Sequence, residues 1–298
     1  MHDLPIVDPH QHLWDFTRAH YAWLMDRPLP PNPAGDCRPI ARPYGIADYL
    51  ADVRGWNVVK TVHVDAGADA ADALKETRWL QEVADAHGYP QGIVAYAALE
   101  QPEVERVLAA HCEQRNVRGI RQIINWHRDP RKTYTPADLL GNADWQRGFA
   151  LLGKYRLSFD LQIYPSQMPA AAELAAHHPG TQLVLNHCGM PTDRDAEGLA
   201  LWKSGIALLA EQPNVAVKIS GLAMMDHDWT TETIRPFVLY AIERFGVERV
   251  MFASNFPVDK LYGTFGTHFE AYDRITSAFS EAERRAMFGG VAERIYRV

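Results

Sequence analysis

Short apolar, β-branched runs alternate with longer stretches of helical periodicity along the whole chain, and eight such runs stand at 4–8, 58–65, 92–99, 117–124, 157–164, 182–187, 215–220 and 249–255. Between them apolar positions recur every three or four residues. The stretch 69–88 opens on Asp69 as an N-cap, carries Leu80, Val83 and Ala84 on one face and closes on Gly88. Similar stretches lie at 102–115, 142–153, 167–178, 199–211 and 232–244. Strands alternating with helices imply right-handed crossovers and a parallel sheet. Eight of them favour closure into a single (β/α)8 TIM barrel of the α/β class. The rival, an open doubly wound sheet, usually has a Gly-rich first turn, whereas this chain reads Asp8-Pro9-His10-Gln11-His12 there. No linker or repeat divides the sequence, so residues 1–298 are read as one TIM-barrel domain, a length common for such barrels. One connection is long: 13–43 is rich in proline and bears Trp14, Tyr21 and Trp23. Because it follows the first strand, it is expected over the barrel mouth, as a lid or as a contact in a homo-oligomer.

Strands of a parallel barrel are covered on both sides, so a polar residue within them costs free energy unless it is paired or faces the active-site mouth. Here such residues come late in each run: His10 and His12 after the first, His63 and Asp65 in the second, Arg121 in the fourth, and Asp160 and Gln162 in the fifth. His187, Lys218, Ser220, Ser254 and Asn255 continue the series in the last three runs. The carboxyl ends of the strands are where a barrel keeps its catalytic groups. His10 and His12 are two apart and project to the same side of an extended strand. With His187 they make three imidazoles suited to one divalent metal, Zn²⁺ before others, with an open position for water or a substrate carbonyl. Taken singly, His187 also reads as a core histidine bonded to a backbone carbonyl. Arg121 reads either as the partner of Asp160 or as a fork for a substrate carboxylate or lactone oxygen. Lys218 can pair with Asp160 or Asp65, and Gln162 and Tyr164 can simply line the wall. Together with Trp14 and His63, these four residues form the expected set of substrate contacts.

Composition narrows the classes. A hydrophobic share of 47% with 22% charged residues excludes a disordered chain. The net charge of −7, with no basic run, leaves no electrostatic footprint for nucleic acid. Three cysteines without a CxxC pair read as reduced thiols of a cytoplasmic protein. No apolar run approaches the ~18 residues of a membrane span, and the opening Met-His-Asp-Leu-Pro lacks the features of a signal peptide. A small-molecule substrate is the partner that remains.

These residues resemble the amidohydrolase-related family of barrel hydrolases, in its sugar-lactonase-like branch with L-fuconolactonase and L-rhamnonolactonase. The resemblance rests on Ile6-Val7-Asp8-Pro9-His10-Gln11-His12-Leu13-Trp14-Asp15, Val117-Arg118-Gly119-Ile120-Arg121, Asn186-His187-Cys188-Gly189-Met190-Pro191, Lys218-Ile219-Ser220-Gly221 and Met251-Phe252-Ala253-Ser254-Asn255-Phe256-Pro257-Val258. It implies a hydrolase acting on a cyclic ester or related bond, with the histidines at the reacting carbonyl and an eighth-strand aspartate as general base. Some branches of the family use a divalent metal and some lactonases work without one; relatives also include decarboxylases of aromatic acids. Where the family pattern reads Ser-Asp-Trp-Pro, this chain reads Ser254-Asn255-Phe256-Pro257, and an amide cannot take a proton at neutral pH. Asp259, four residues on, is therefore expected as the base, with Asp65 and Asp8 in reserve and Arg121 steadying the oxyanion. Of the binuclear relatives' bridging lysine and fifth-strand histidine there is no counterpart, so a two-metal site is not expected. With the usual base absent, a non-catalytic ligand-binding barrel is the remaining alternative.

Overall fold

The computed structural model describes residues 3–298, so Met1 and His2, on which part of the reading of the opening segment fell, lie outside it. Eight parallel strands form one sheet in chain order: β1 (Ile6–Gln11), β2 (Val58–Val64), β3 (Gly92–Tyr96), β4 (Val117–Ile123), β5 (Ser158–Gln162), β6 (Leu183–Leu185), β7 (Val215–Ile219) and β8 (Val250–Phe252). The last strand meets the first just beyond their ends. Asn255 N donates to His10 O and His12 N to Phe256 O, each at 2.7 Å, and Gln11 bridges Phe256. With helices between successive strands this is a (β/α)8 TIM barrel. The seam has a chemical consequence, because it sets Asn255 beside the two first-strand histidines.

The helices Ala73–His87, Val104–Cys112, Ala143–Lys154, Met168–His177, Ala196–Ala210 and Thr231–Phe245 fall in the expected windows. In the first of them the N-terminal signal is displaced: Asp69 precedes a 3-10 turn, Ala70–Asp72, and the α-helix starts at Ala73 without a side-chain cap. Gly88 ends it as expected, at φ 78, a conformation that glycine adopts without a Cβ clash. Among the described residues no helix is long and apolar enough to cross a membrane.

Two apolar layers hold the barrel. One lies between strands and helices. The other fills the interior with Val7, Val62, Val64, Val94, Val184, Ala216 and Met251, joined by Val291, Ala292, Ile295 and Tyr296 of the last helix, Val291–Tyr296. That helix plugs the end opposite the mouth, where Val298 sits against Gly92 at the start of β3. Above the plug the interior turns polar, which leaves the site only the carboxyl end of the strands.

Candidate active site

Three imidazoles meet at the mouth. The His10 ring lies 5.0 Å from that of His12 and 4.7 Å from that of His187, centroid to centroid. All three rings are buried, and burial lowers their pKa values well below the ordinary histidine range, with Lys218 and Arg121 as neighbouring cations acting in the same direction. They are neutral at physiological pH. His12 Nδ1 lies 2.7 Å from Val64 O, and since a carbonyl only accepts, Nδ1 carries the hydrogen and Nε2 a lone pair. His187 Nδ1 is 3.1 Å from the Ser220 hydroxyl, which can donate or accept. His10 is different: both of its nitrogens are buried without a partner.

Backbone strain gathers at the same place. His187 and Cys188 at φ 53, Gly189 at φ 71 and Met190 at φ 49 are consecutive left-handed residues, and Asn255 has φ 56. For residues with a Cβ this costs on the order of 1–2 kcal/mol each, a cost that accumulates where a site must be held in one geometry. Gly221 accommodates the turn: a Cβ there would come within 2.6 Å of His187 Nδ1.

The Asn255 amide is held from behind. Its Nδ2 donates to Asp259 Oδ1 at 2.9 Å, and its Oδ1 faces His12 Nε2 at 3.3 Å. Asp259 Oδ2 accepts from Gly221 N at 3.0 Å. Burial raises the Asp259 pKa to about 7, against the pull of those two donors. Expected as a base at the rim, Asp259 instead stands buried behind Asn255 with both oxygens occupied, so it reaches the mouth only through that amide. The reserves are also engaged: Asp8 accepts from Ser254, Tyr49 and His10 N, and Asp65 faces Arg121.

A cavity of about 310 Å³ opens above these groups, and His12, His187, Asn255, Arg121 and Gln162 are among its lining residues. The Arg121 guanidinium donates from Nε to Asp65 Oδ2 at 3.3 Å, from Nη2 to Asp65 O, and from Nη1 to Gln162 Oε1 at 3.1 Å. Its carboxylate partner is thus Asp65 rather than Asp160. Lys218 has taken Asp160, in an ion pair buried on both sides, and Tyr296 OH and Asn186 Nδ2 donate to the same carboxylate. Behind Arg121, burial raises the pKa of Asp65 and of Glu76 beside it.

Of the expected substrate contacts, Arg121 and Gln162 therefore reach the cavity. The other four stand apart from its surface. Trp14 is fully buried, donates to Arg42 O and exchanges backbone bonds with Tyr44. His63 is turned to Leu13 O at 3.1 Å, the Tyr164 hydroxyl to Lys132 O at 2.5 Å, and Lys218 lies beneath the floor. The long connection does border the cavity, through Trp23 and residues 31–34, and the loop 125–141 contributes Thr133 and Tyr134. Trp23, Tyr134 and Met224 were missed as lining residues; of these only Trp23 carried a signal, its aromatic ring within the proline-rich segment.

Among the described residues no three histidine, cysteine, aspartate or glutamate donors converge on one point, so the imidazole trio by itself is not a closed metal site. The donor chemistry nonetheless fits an ion. His10 is buried with both nitrogens unpartnered, and the His12 Nε2 lone pair faces an amide oxygen, a donor outside that set.

Residues 7–298 match the family described as Amidohydrolase. An uncharacterized protein of Sinorhizobium fredii is 46% identical, with 100% of each chain covered. The L-fucono-1,5-lactonase of Burkholderia multivorans is 30% identical over 97% of this chain and 95% of its own length. Among solved structures, an amidohydrolase of Burkholderia multivorans with bound zinc aligns with a TM-score of 0.81 and 26% identity, covering 98% of this chain and 99% of that one.

Proposed function

The chain belongs to the amidohydrolase family, and on that premise we propose that it hydrolyses a cyclic ester, opening a sugar-derived lactone to its hydroxy acid. The observation that carries this reading is the meeting of neutral imidazoles and one guanidinium on the floor of a single cavity. The lactonase relative from Burkholderia multivorans supports it. Because Asp65 already faces Arg121, the cation has little net charge to offer a carboxylate, which favours a neutral ring.

The chemistry follows from the atoms present. Water is held by His187 Nε2 and adds to the lactone carbonyl carbon, forming the new C–O bond. His187 Nε2 takes the proton when the Nδ1 hydrogen is donated to the Ser220 hydroxyl behind it, whereas His12 Nε2 is turned to the Asn255 amide oxygen at 3.3 Å. Arg121 steadies the oxygen that becomes negative, a kind of donor whose removal costs about 10²–10³ in kcat. As the ring C–O bond breaks, His187 returns the proton to the departing alkoxide and the hydroxy acid is released. A divalent ion held by His10, His12 and Asn255 would add Lewis acidity at the carbonyl or water.

The test is a panel of five- and six-membered sugar lactones followed by acid release with a pH indicator, run beside aromatic acids followed by carbon dioxide release. Lactone opening that is lost in His187→Gln is expected. Carbon dioxide release without lactone opening refutes the reading in favour of decarboxylation, and binding of a lactone by calorimetry without turnover refutes it in favour of a non-catalytic barrel.

A further inference from the structure

We propose that Glu76, which lies outside the cavity and behind its wall, is a positioning residue for Arg121: by keeping its own carboxyl proton it leaves Asp65 as the one counter-ion of the guanidinium and lets that fork rest at the cavity. The role deepens the reading above, on which its consequence for catalysis rests.

Glu76 stands in the first turn of the helix Ala73–His87 and is 1% exposed, as is Asp65 just past the end of β2. The Arg121 guanidinium places its donors on Asp65 Oδ2, Asp65 O and Gln162 Oε1, and Asp65 Oδ1 accepts from Gly67 N at 3.0 Å. Glu76 faces neutral groups instead, the Ala66 N–H and the Tyr21 hydroxyl. Its Oε1 and that hydroxyl are both buried without a well-formed hydrogen bond. Two carboxyls therefore share one guanidinium in a region closed to solvent, where like charges cannot both ionise cheaply. Asp65 has the guanidinium in contact, so the proton stays on Glu76. Burial, and then the charge of Asp65, push the Glu76 pKa up to about 8. Tyr21 is neutral throughout, its own pKa raised by burial.

The other elements packed here add no competing charge. Tyr96 of β3 bears on Asp65, and burial keeps it neutral as well. On the helix of Glu76 itself, Lys75 is paired with Asp72 and Arg78 acts on His111, which is bonded to Thr77 Oγ1 and Tyr96 O. With Glu76 protonated, Arg121 and Asp65 cancel. Once it ionises, the cluster carries one net negative charge, which opposes an oxyanion at the mouth and draws the guanidinium back from the cavity. The active form is the protonated one, so the contribution is present at neutral pH and is lost as pH rises through about 8. The site is also tied to the segment over the mouth: Tyr21 comes from the connection 13–43, and Trp23 Nε1 donates to Ala66 O at 2.9 Å.

The experiment follows the full chain by NMR from pH 6 to 9.5, with 13C in the glutamate carboxyls, which leaves Asp8, Asp65 and Asp259 silent, and 15N in the arginine side chains. A single glutamate carboxyl titrating near 8 and missing from Glu76→Gln is expected. The Arg121 Nε resonance, identified by its loss in Arg121→Lys, moves with the same midpoint in the unaltered protein and stays still in Glu76→Gln. In a pH-stat, lactone opening corrected for the spontaneous reaction loses about tenfold in rate per pH unit above that midpoint, and the limb is absent from Glu76→Gln, whose amide keeps the shape of the neutral acid. A Glu76 carboxyl already ionised at pH 6 overturns the proposal, as does an Arg121 resonance indifferent to its titration; both are read in the unaltered protein and hold even where the variant does not fold. A basic limb retained in Glu76→Gln overturns the part in catalysis, because a merely structural carboxyl moves stability and leaves the midpoint in place. The resonances need no substrate, so the outcomes stay separate: linked titrations without lactone opening refute only the proposed function, and lactone opening with unlinked titrations refutes only the positioning role.

Discussion

Removing the ammonium of Lys218 while keeping its stem, as Lys218→Met, should be among the most damaging single changes beneath the site. The side chain is fully buried, and so is Asp160, its carboxylate partner. Burial lowers the Lys218 pKa and Asp160 opposes that, so the pair holds together only because each charge answers the other. Breaking a buried pair from one side costs about 3–5 kcal/mol, mainly because the remaining charge has no counter-ion. Here Asp160 keeps two neutral donors, Tyr296 OH at 3.0 Å and Asn186 Nδ2 at 3.1 Å, which argues for the lower part of that range. Unfolding entropy of about 2.1 cal/mol/K per residue gives roughly 0.6 kcal/mol/K for a chain of 298 residues, so a loss of ~3–4 kcal/mol lowers Tm by about 5–6 °C. The assay is thermal unfolding followed by circular dichroism at pH 7, on Lys218→Met and on Lys218→Met/Asp160→Asn. The double variant carries no orphaned charge and should regain most of the loss. A single variant within 1 °C of the parent, or a double variant less stable than the single, refutes the reasoning.

Three further outcomes follow from the geometry. Arg121→Lys keeps the charge but not the fork that reaches Asp65 and Gln162 together, so kcat for lactone opening should fall about 10²–10³-fold with only a small change in charge balance; activity within tenfold of the parent would refute the oxyanion role. His111, held between Thr77 Oγ1 at 3.0 Å and Tyr96 O at 2.9 Å, has its pKa lowered to about 4 by burial. Above pH 6.5 it is neutral in both states and contributes nothing; as pH falls from there toward 4 the unfolded chain takes a proton that the fold refuses, and stability drops by about 1.4 kcal/mol per pH unit. His111→Gln should reduce that acid slope by one proton in urea unfolding measured from pH 7 to 4.5, and an unchanged slope refutes it. The Tyr262 hydroxyl donates to Ala34 O and so ties the mouth-covering segment to the loop after β8, and Tyr262→Phe should raise amide exchange over residues 31–36 and raise KM without lowering the thermal midpoint by more than about 2 °C; unchanged exchange would refute the tie.

The barrel was legible because its strands are covered on both faces, so every polar residue late in a run stood out against an apolar background. The same contrast marked His10, His12, His187 and Asn255, whose convergence needs only that strand ends point one way. What pattern alone left open was competition between equivalent partners. Trp14 and Trp23 share one segment, and the outcome is set by backbone pairing of Trp14 with Tyr44, thirty positions away in local context and invisible to periodicity. The two carboxylates Asp65 and Asp160 were likewise open to two cations. Residue Arg121 is in register with Asp160 on the neighbouring strand, which makes that pair the natural expectation. The deciding residue is Tyr296, from the helix that plugs the far end: its hydroxyl donates to both oxygens of Asp160 and, with Lys218, completes that carboxylate's set of partners. With Asp160 filled, Arg121 turns to Asp65 at the end of β2 and its guanidinium comes to rest at the cavity wall. The charge that faces the cavity is thus placed by a pairing made lower in the barrel, and a change at Tyr296 that leaves Asp160 short of donors should draw Arg121 down and away from the mouth.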